Sequence, residues 1–382
     1  MKFGAGQSVR RLEDDRLITG QGQYTDDQNL PGQLYGAVVR SPHPFARITD
    51  IDRNAALAVK GVHAVLTYKD VQDQGFGDVP CMAMLPNKDG SPMKLTPRPA
   101  LANGFVRHIG DPVAFVVADT AAIARDAVEL VNVHYDPQDH VVATADAMKG
   151  PQIWPHIPGN LALDFELGDK AKTDAAFAAA AHTVSLSLDN QRLVVNAMEP
   201  RAAIGHYDAA TKKWSIRTGS QGVFGMRANI AKQILKTDEA NLHVITKEVG
   251  GGFGMKSFVY PEYAMVLLAA KVLGRPVKWT GDRTESFLSD SQGRDNLTTA
   301  SIALNKDLKI TAVRTETVAN LGAYLNQFAP FIPTMAAPGM QVGVYAIPAF
   351  YTAVKCVLTN TVPTDAYRGA GRPEATYSIE RV

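Results

Sequence analysis

Val249-Gly250-Gly251-Gly252-Phe253-Gly254-Met255-Lys256 is the stretch around which the rest of the chain is arranged. Four glycines in five residues remove Cβ atoms and free φ, so backbone N–H groups can come close to a ligand. The apolar run Leu242-His243-Val244-Ile245-Thr246 before it predicts a buried strand. Pro261 to Leu273 after it predicts a helix: Pro261 suits a first turn, Ala264, Leu267, Leu268 and Ala270 are apolar, and Gly274 is a stop. The glycines therefore fall between a strand and a helix, the place of a loop that holds an anion or an oxo group. A tight turn with no ligand gives the same local pattern.

Two familiar glycine motifs fail here. A P-loop needs Lys directly after its last glycine, and Met255 stands there, with Lys256 one place late. A dinucleotide fingerprint from Gly252 needs Gly or Ala at 257, where the chain has Ser257.

Working outward, Trp214 to Thr218 predicts a strand, Gly219-Ser220-Gln221 a turn, and 223–236 an amphipathic helix with Phe224, Ile230, Ile234 and Leu235 on its apolar face. Strand, Gln221 turn, helix, strand, glycine loop, helix and a further strand at Val277-Lys278-Trp279-Thr280 form a β-α-β theme. Neighbouring strands would put both turns at the same sheet edge, where ligand crevices of α/β sheets form. Far downstream, Asp365-Ala366-Tyr367-Arg368-Gly369-Ala370-Gly371-Arg372-Pro373-Glu374 sets two guanidinium groups around small residues. Arg suits an oxyanion. Pairing of Arg368 and Arg372 with Asp365 and Glu374 would instead make this an ordinary loop.

The other elements form two regions. In the first, 21–136, strands are expected at Leu34 to Arg40, His63 to Tyr68, Pro112 to Ala118 and Val131 to Tyr135. Helices are expected at Asn54 to Val59 and from Thr120, its cap, to Leu130. Residues 1–20 read as an arm and 71–103 as a long loop. The Pro- and Gly-rich stretch 137–162 reads as a linker. The second region, 163–382, starts with a helix at Thr173 to Ala181. It continues with strands at Thr183 to Leu188, Ala202 to Tyr207, Thr299 to Leu304, Ile310 to Val318 and Thr352 to Leu358.

With 382 residues, 46% apolar and 20% charged, the chain can bury cores of two ordinary domains. A net charge of +1 gives no footprint for nucleic acid. No apolar run reaches the length of a membrane span, and acidic residues follow Arg10-Arg11 where an export signal needs an apolar segment. A cytoplasmic location is expected. Cys81 and Cys356 lie too far apart for a zinc or iron–sulfur pattern and read as buried or half-buried thiols.

Taken together, these motifs resemble the molybdenum-binding subunit of the xanthine dehydrogenase and aldehyde oxidase family, on the side of the carbon monoxide dehydrogenase large subunits. The opening Gln7-Ser8-Val9-Arg10-Arg11-Leu12-Glu13-Asp14, with Leu17-Ile18-Thr19-Gly20 and Gly22-Gln23-Tyr24, is similar to that family's start, as are the glycine loop and the arginine loop. The resemblance covers almost all of the chain but about half of a typical subunit. It implies an α/β hammerhead domain followed by the first of two molybdopterin-binding domains. The implied cofactor is molybdenum bound by a pterin, commonly as the cytosine dinucleotide, with no direct protein ligand.

The resemblance also assigns residues. Gln221 matches the glutamine that hydrogen-bonds an oxygen on molybdenum. Phe253 and Gly254, beside Gly251 and Gly252, match the backbone that faces the metal. Arg368, Gly369 and Ala370 match the loop that closes over it on the substrate side. The implied reaction is hydroxylation with water as oxygen source, electrons leaving through 2Fe–2S and FAD partner subunits. The family's general base lies in a Gly-x-Gly-Glu motif that this chain lacks, and Glu374 and Glu380 are wrongly placed to replace it. A second molybdopterin-domain polypeptide is the expected source. The alternative is a non-catalytic cofactor-binding half. Gly369 stands where carbon monoxide dehydrogenases carry a copper-binding Cys. Ser257 and Ala370 replace a Glu and a Phe of purine-oxidising members, so an aldehyde or an aromatic N-heterocycle is the expected substrate.

Overall fold

The computed structural model describes residues 6–382. Met1 to Ala5 of the expected arm lie outside them. Among the described residues fifteen strands follow in order: β1 Leu34–Arg40, β2 Ala46–Asp52, β3 Val62–Leu66, β4 Phe105–Val106, β5 Pro112–Ala118, β6 Asn132–Pro137, β7 Leu161–Gly168, β8 His182–Asn190, β9 Ala202–Asp208, β10 Lys213–Thr218, β11 Leu242–Ile245, β12 Val277–Thr280, β13 Asn296–Leu304, β14 Ile310–Asn320 and β15 Phe350–Val357. They make a seven-stranded sheet in the order β11-β10-β9-β12-β1-β5-β3. A second sheet runs β7-β15-β14-β13-β8, and a small one runs β4-β2-β6.

The largest sheet joins the two regions. Leu34, Tyr35 and Gly36 of β1 pair in parallel with Val277, Lys278 and Trp279 of β12. The helix Pro261–Leu273 covers this sheet, and every residue from Pro261 to Ala270 is buried. An amphipathic stripe would not be expected of such a helix; it is apolar nearly all round because it is enclosed nearly all round. Leu34, Phe115, Ile216, Val266 and Trp279 share its core. On the opposite face, Ala114 and Val116 of β5 pack with Ala127 of the helix Ala121–Val128, whose cap Thr120 accepts a hydrogen bond from the Ile123 N–H at 3.2 Å.

A buried ion network holds the seam. Arg201 binds Glu262 at 2.8 Å and Asp290 at 2.5 Å, and Arg40 at the end of β1 reaches Glu262 at 2.7 Å. Burial opposes ionisation of Glu262, but Arg201 and Arg40 more than offset it and hold its carboxyl down at about 2.

Several elements differ from expectation, each for a local reason. The 223–236 helix is α-helical over Val223–Asn229 and widens into a π turn over Ile230–Ile234. Its buried face is Met226, Ile230, Ala231 and Ile234, while Phe224 is 76% exposed. Phe224 precedes Met226 by two residues, roughly 200° round a helix, so it faces away from the sheet. The expected strand His63–Tyr68 ends at Leu66, because Thr67 caps an unexpected helix, Tyr68–Asp73, through Asp70. The helix expected from Thr173 starts at Lys170, where the Asp169 carboxylate accepts from the Lys172 N–H. The stretch 137–162, expected as a linker, carries Ile153, Trp154 and Ile157 into a second core with Leu163, Tyr324 and Leu358. The Trp154 indole N–H donates to the Ala323 carbonyl at 2.9 Å. Cys356 is buried and Cys81 half-buried. Burial pushes the Cys81 thiol up to about 12, out of reach of thiolate chemistry near neutral pH.

Candidate functional site

The site begins at two parallel neighbours. Trp214 to Arg217 of β10 pair in register with Leu242 to Ile245 of β11. Their following turns, Gly219-Ser220-Gln221 and Val249–Lys256, therefore leave the sheet at the same edge. Ser220 and Thr246 share a hydroxyl contact at 2.9 Å, and the Gln221 N–H donates to the Lys256 carbonyl at 3.0 Å.

Gln221 itself is shaped by the glycine loop. The Gly254 N–H donates to its Oε1 at 2.7 Å, which fixes the orientation of the amide: the oxygen faces the loop and the Nε2 donors are left over. Gly252 lies against the same side chain, where a Cβ would stand 2.6 Å from Gln221 Cδ. Only a residue without a side chain lets the loop close on Gln221. The N–H groups of Gly251, Gly252 and Phe253 have no acceptor among the described residues.

Beneath the loop sits a residue pair that the sequence reading missed. Glu199 takes the Lys256 ammonium at 2.7 Å and the Gly250 N–H at 2.8 Å on one carboxylate oxygen. The Glu199 N–H returns a bond to the Gly250 carbonyl at 3.0 Å. The Lys256 side chain is 1% exposed, and burial pushes its ammonium below the ordinary lysine range, partly offset by Glu199. The loop is thus clamped at its root.

The arginine loop closes from the other side. The Arg368 N–H donates to the Phe253 carbonyl at 2.8 Å. Gly254 has φ +101 and packs so tightly on the Ala366 carbonyl that a Cβ would overlap it. Phe253 and Ala370 both hold positive φ, at 53° and 40°, a conformation unusual for residues with side chains. The Arg368 guanidinium lies 5.4 Å from the centre of the Phe253 ring, and both residues are exposed.

The ion pairs that would have made this an ordinary loop do not form. Glu374 pairs with Arg294 at 3.0 Å, and the buried Asp365 carboxylate accepts the Phe328 and Ala366 N–H groups at 3.0 and 2.7 Å. Arg372 reaches only the Gly369 carbonyl, at 3.2 Å. Arg368 has no carboxylate partner among the described residues. Burial pushes the Asp365 carboxyl up to about 7.

Gln221, Gly251, Gly252, Phe253, Gly254 and Arg368 are therefore gathered at one edge, with exposed Gly369 following Arg368 on the loop. Ser257 ends the short turn Met255–Ser257 and donates its N–H to the Gly254 carbonyl at 2.9 Å. Ala370 lies on the arginine loop, and no hydrogen bond joins the two. Sequence reasoning missed Glu199 and Arg294, and named Glu374 only as a possible partner of Arg368 or Arg372, whereas it pairs with Arg294. Lys256 stood in the quoted stretch but was read only as a broken P-loop; Glu199 and Arg294 carry no motif of their own.

Chemically, the rim offers an amide donor, three backbone N–H groups without acceptors and one guanidinium without a carboxylate partner among the described residues, on loops packed closely against one another. Such a set fits an anionic, oxygen-rich group that brings its own metal ligands. Among the described residues no cluster of three or more His, Cys, Asp or Glu is placed to hold a metal ion. No helix among them is long and apolar enough to cross a membrane.

Comparison with known proteins gives the same direction. Residues 153–382 match the molybdopterin cofactor-binding domain, and residues 19–139 match the aldehyde oxidase and xanthine dehydrogenase a/b hammerhead domain. The chain is 34% identical to the nicotine 6-hydroxylase large subunit of Paenarthrobacter nicotinovorans, over 98% of this chain and 45% of that one. It is 34% identical to the carbon monoxide dehydrogenase large chain of Hydrogenophaga pseudoflava, over 97% of this chain and 47% of that one. Among solved structures, quinoline 2-oxidoreductase from Pseudomonas putida 86 superposes with a TM-score of 0.89 at 31% identity, covering 98% of this chain and 48% of its own. The chain spans about half the length of these relatives. By the domains it matches along nearly its whole length, the chain belongs to the aldehyde oxidase and xanthine dehydrogenase family of molybdopterin-binding subunits.

Proposed function

We propose that the edge formed by Gln221, the glycine loop and the arginine loop holds a molybdenum–pterin cofactor in a hydroxylase that uses water as oxygen donor. The observation that carries this reading is the stitching of the two loops, Arg368 N–H to Phe253 carbonyl and Gly254 against Ala366, while the Gln221 Nε2 and the loop N–H groups stay unspent. When bound, the cofactor supplies two-electron oxidation and oxygen transfer. The chain supplies position and charge. Gln221 Nε2 would donate a hydrogen bond to the bound cofactor. Gly251, Gly252, Phe253 and Gly254 bring backbone close to it. Arg368, laid on the Phe253 ring, places a fixed positive charge where negative charge develops on the substrate side.

The cofactor's nucleotide is cytosine dinucleotide in this reading, and electrons leave to 2Fe–2S and FAD partner chains in the cytoplasm. The general-base glutamate comes from polypeptide outside these 382 residues, in a Gly-x-Gly-Glu motif. Ser257 and Ala370 leave room for a flat or small substrate, an aromatic N-heterocycle or an aldehyde. The names of the nicotine and quinoline enzymes above put N-heterocycles first in a screen. Gly369 offers no thiol for copper, which argues against carbon monoxide.

The test is molybdenum content and turnover of wild type and Arg368→Ala, purified with whatever co-purifies. Retained metal with at least tenfold lower turnover is expected. Unchanged turnover would remove the arginine loop from the site.

A further inference from the structure

We propose that Arg294 is the positioning residue that aims Arg368, an inference that rests on the reading of the arginine loop as part of the site. Arg294 lies 74 residues before Arg368 in the chain. Its guanidinium donates to the Tyr367 carbonyl at 3.0 Å through Nη1 and to the Arg368 carbonyl at 2.9 Å through Nη2. These are the two carbonyls on either side of the Arg368 α-carbon. The same Nη1 binds Glu374 at 3.0 Å, at the start of the helix Arg372–Arg381 that follows the loop. The guanidinium also lies 5.0 Å from the centre of the Tyr367 ring.

This grip is built, not incidental. The side chains of Arg294 and Glu374 are 7% and 6% exposed. The second carboxylate oxygen of Glu374 is buried with no hydrogen-bond partner among the described residues, and the salt bridge of Glu374 among them is the one to Arg294. Arg294 and Asp295 hold φ of 66° and 69°, two successive left-handed residues with side chains. Such strain persists where the surroundings over-determine the backbone. Here Asp295 is pinned by Arg192 at 2.7 Å, by the Thr144 hydroxyl at 2.6 Å and by its own N–H to the Asn190 carbonyl at 2.9 Å. That strained turn delivers the planar fork of Arg294 to two carbonyls at once, which a lysine ammonium cannot span in the same way.

The logic is a division of labour. Arg368 is exposed and has no carboxylate partner among the described residues; its own contacts are the Phe253 carbonyl and ring. Arg294 holds the peptide units before and after it from below.

The experiment is hydrogen exchange on the full chain, comparing wild type with Arg294→Gln and Arg294→Lys. The Arg368 and Ala370 amides, which donate to the Phe253 and Tyr367 carbonyls, should exchange at least tenfold faster in both variants. Amides of the helix Pro261–Leu273 should keep their protection. Wild-type protection at Arg368 and Ala370, protection restored by lysine, or equal loosening of the central helix would overturn the proposal. Should Arg294→Gln fail to fold, Glu374→Gln keeps the fork and removes its counter-charge. A smaller but local acceleration supports the proposal, and none contradicts it. In the metal-loaded complex, Arg294→Gln should keep its molybdenum and lose turnover about as far as Arg368→Ala, with no further loss in the double variant. Additive losses would mean that Arg294 acts elsewhere. If Arg368→Ala has no effect on turnover, the proposed function fails, and the exchange result alone judges Arg294.

Discussion

The root and the rim of the glycine loop both lie between Gly250 and Lys256 and are built on opposite terms. At the root, Gly250, Glu199 and Lys256 leave nothing open: the ammonium is 1% exposed and Glu199 serves it and the loop backbone together. At the rim, Gly251, Gly252 and Phe253 keep N–H groups without acceptors, and Gln221 keeps its Nε2. A loop that only turned the chain would satisfy its donors or leave them to water without clamping its root so firmly. The difference teaches that stability is concentrated below so that donors can stay open above.

Four variants break or sharpen this contrast. The largest effect should come from the root. Glu199→Ala leaves Lys256 buried without a counter-charge and should cost about 3–5 kcal/mol in urea unfolding. Adding Lys256→Met should recover much of that; no recovery would mean that Glu199 acts mainly through Gly250.

Next comes the carboxyl under the arginine loop. Asp365 is raised by burial from 3.8 to about 7, so it favours the fold while protonated. That contribution is complete below about pH 4 and is lost as pH rises through about 7, a change on the order of 2–4 kcal/mol. Wild type should therefore gain on Asp365→Asn when unfolding is measured at pH 5 rather than pH 8. A constant difference would show that the carboxyl titrates normally.

Gly254→Ala attacks the seam between the loops. Its φ of +101 and the Ala366 carbonyl both resist a side chain, for about 1–3 kcal/mol. The expected signature beyond the lower melting point is faster exchange of the Arg368 amide. The smallest stability effect belongs to the rim: Gln221→Ala, at an exposed position, should shift unfolding by less than about 0.5 kcal/mol. It should nevertheless weaken molybdenum retention in the assembled complex. A large stability loss with unchanged metal would reverse the assignment of root and rim.

What was legible in the sequence was local. The strands β10 and β11, their two turns and the helix Pro261–Leu273 were readable because each lies in one β-α-β stretch with its own caps. Loop composition marked Arg368 and Gly252, and family resemblance gave them roles. What escaped was contact across distance. Lys256 meets Glu199 across 57 residues and Arg294 meets Glu374 across 80, and ion pairs leave no periodic trace. The pairing of β1 with β12 is likewise invisible in either segment alone. Phe224 was misplaced because a helix start with an apolar residue reads as core whether or not a sheet lies beneath it.

The most direct test of the central claim is molybdenum and released cytidine nucleotide per chain, on protein purified gently with its co-purifying polypeptides. The account predicts near-stoichiometric molybdenum in wild type alongside a polypeptide carrying Gly-x-Gly-Glu, and a clear loss of metal in Gln221→Ala. Such an assembly without molybdenum, or with the same molybdenum in Gln221→Ala, would contradict it.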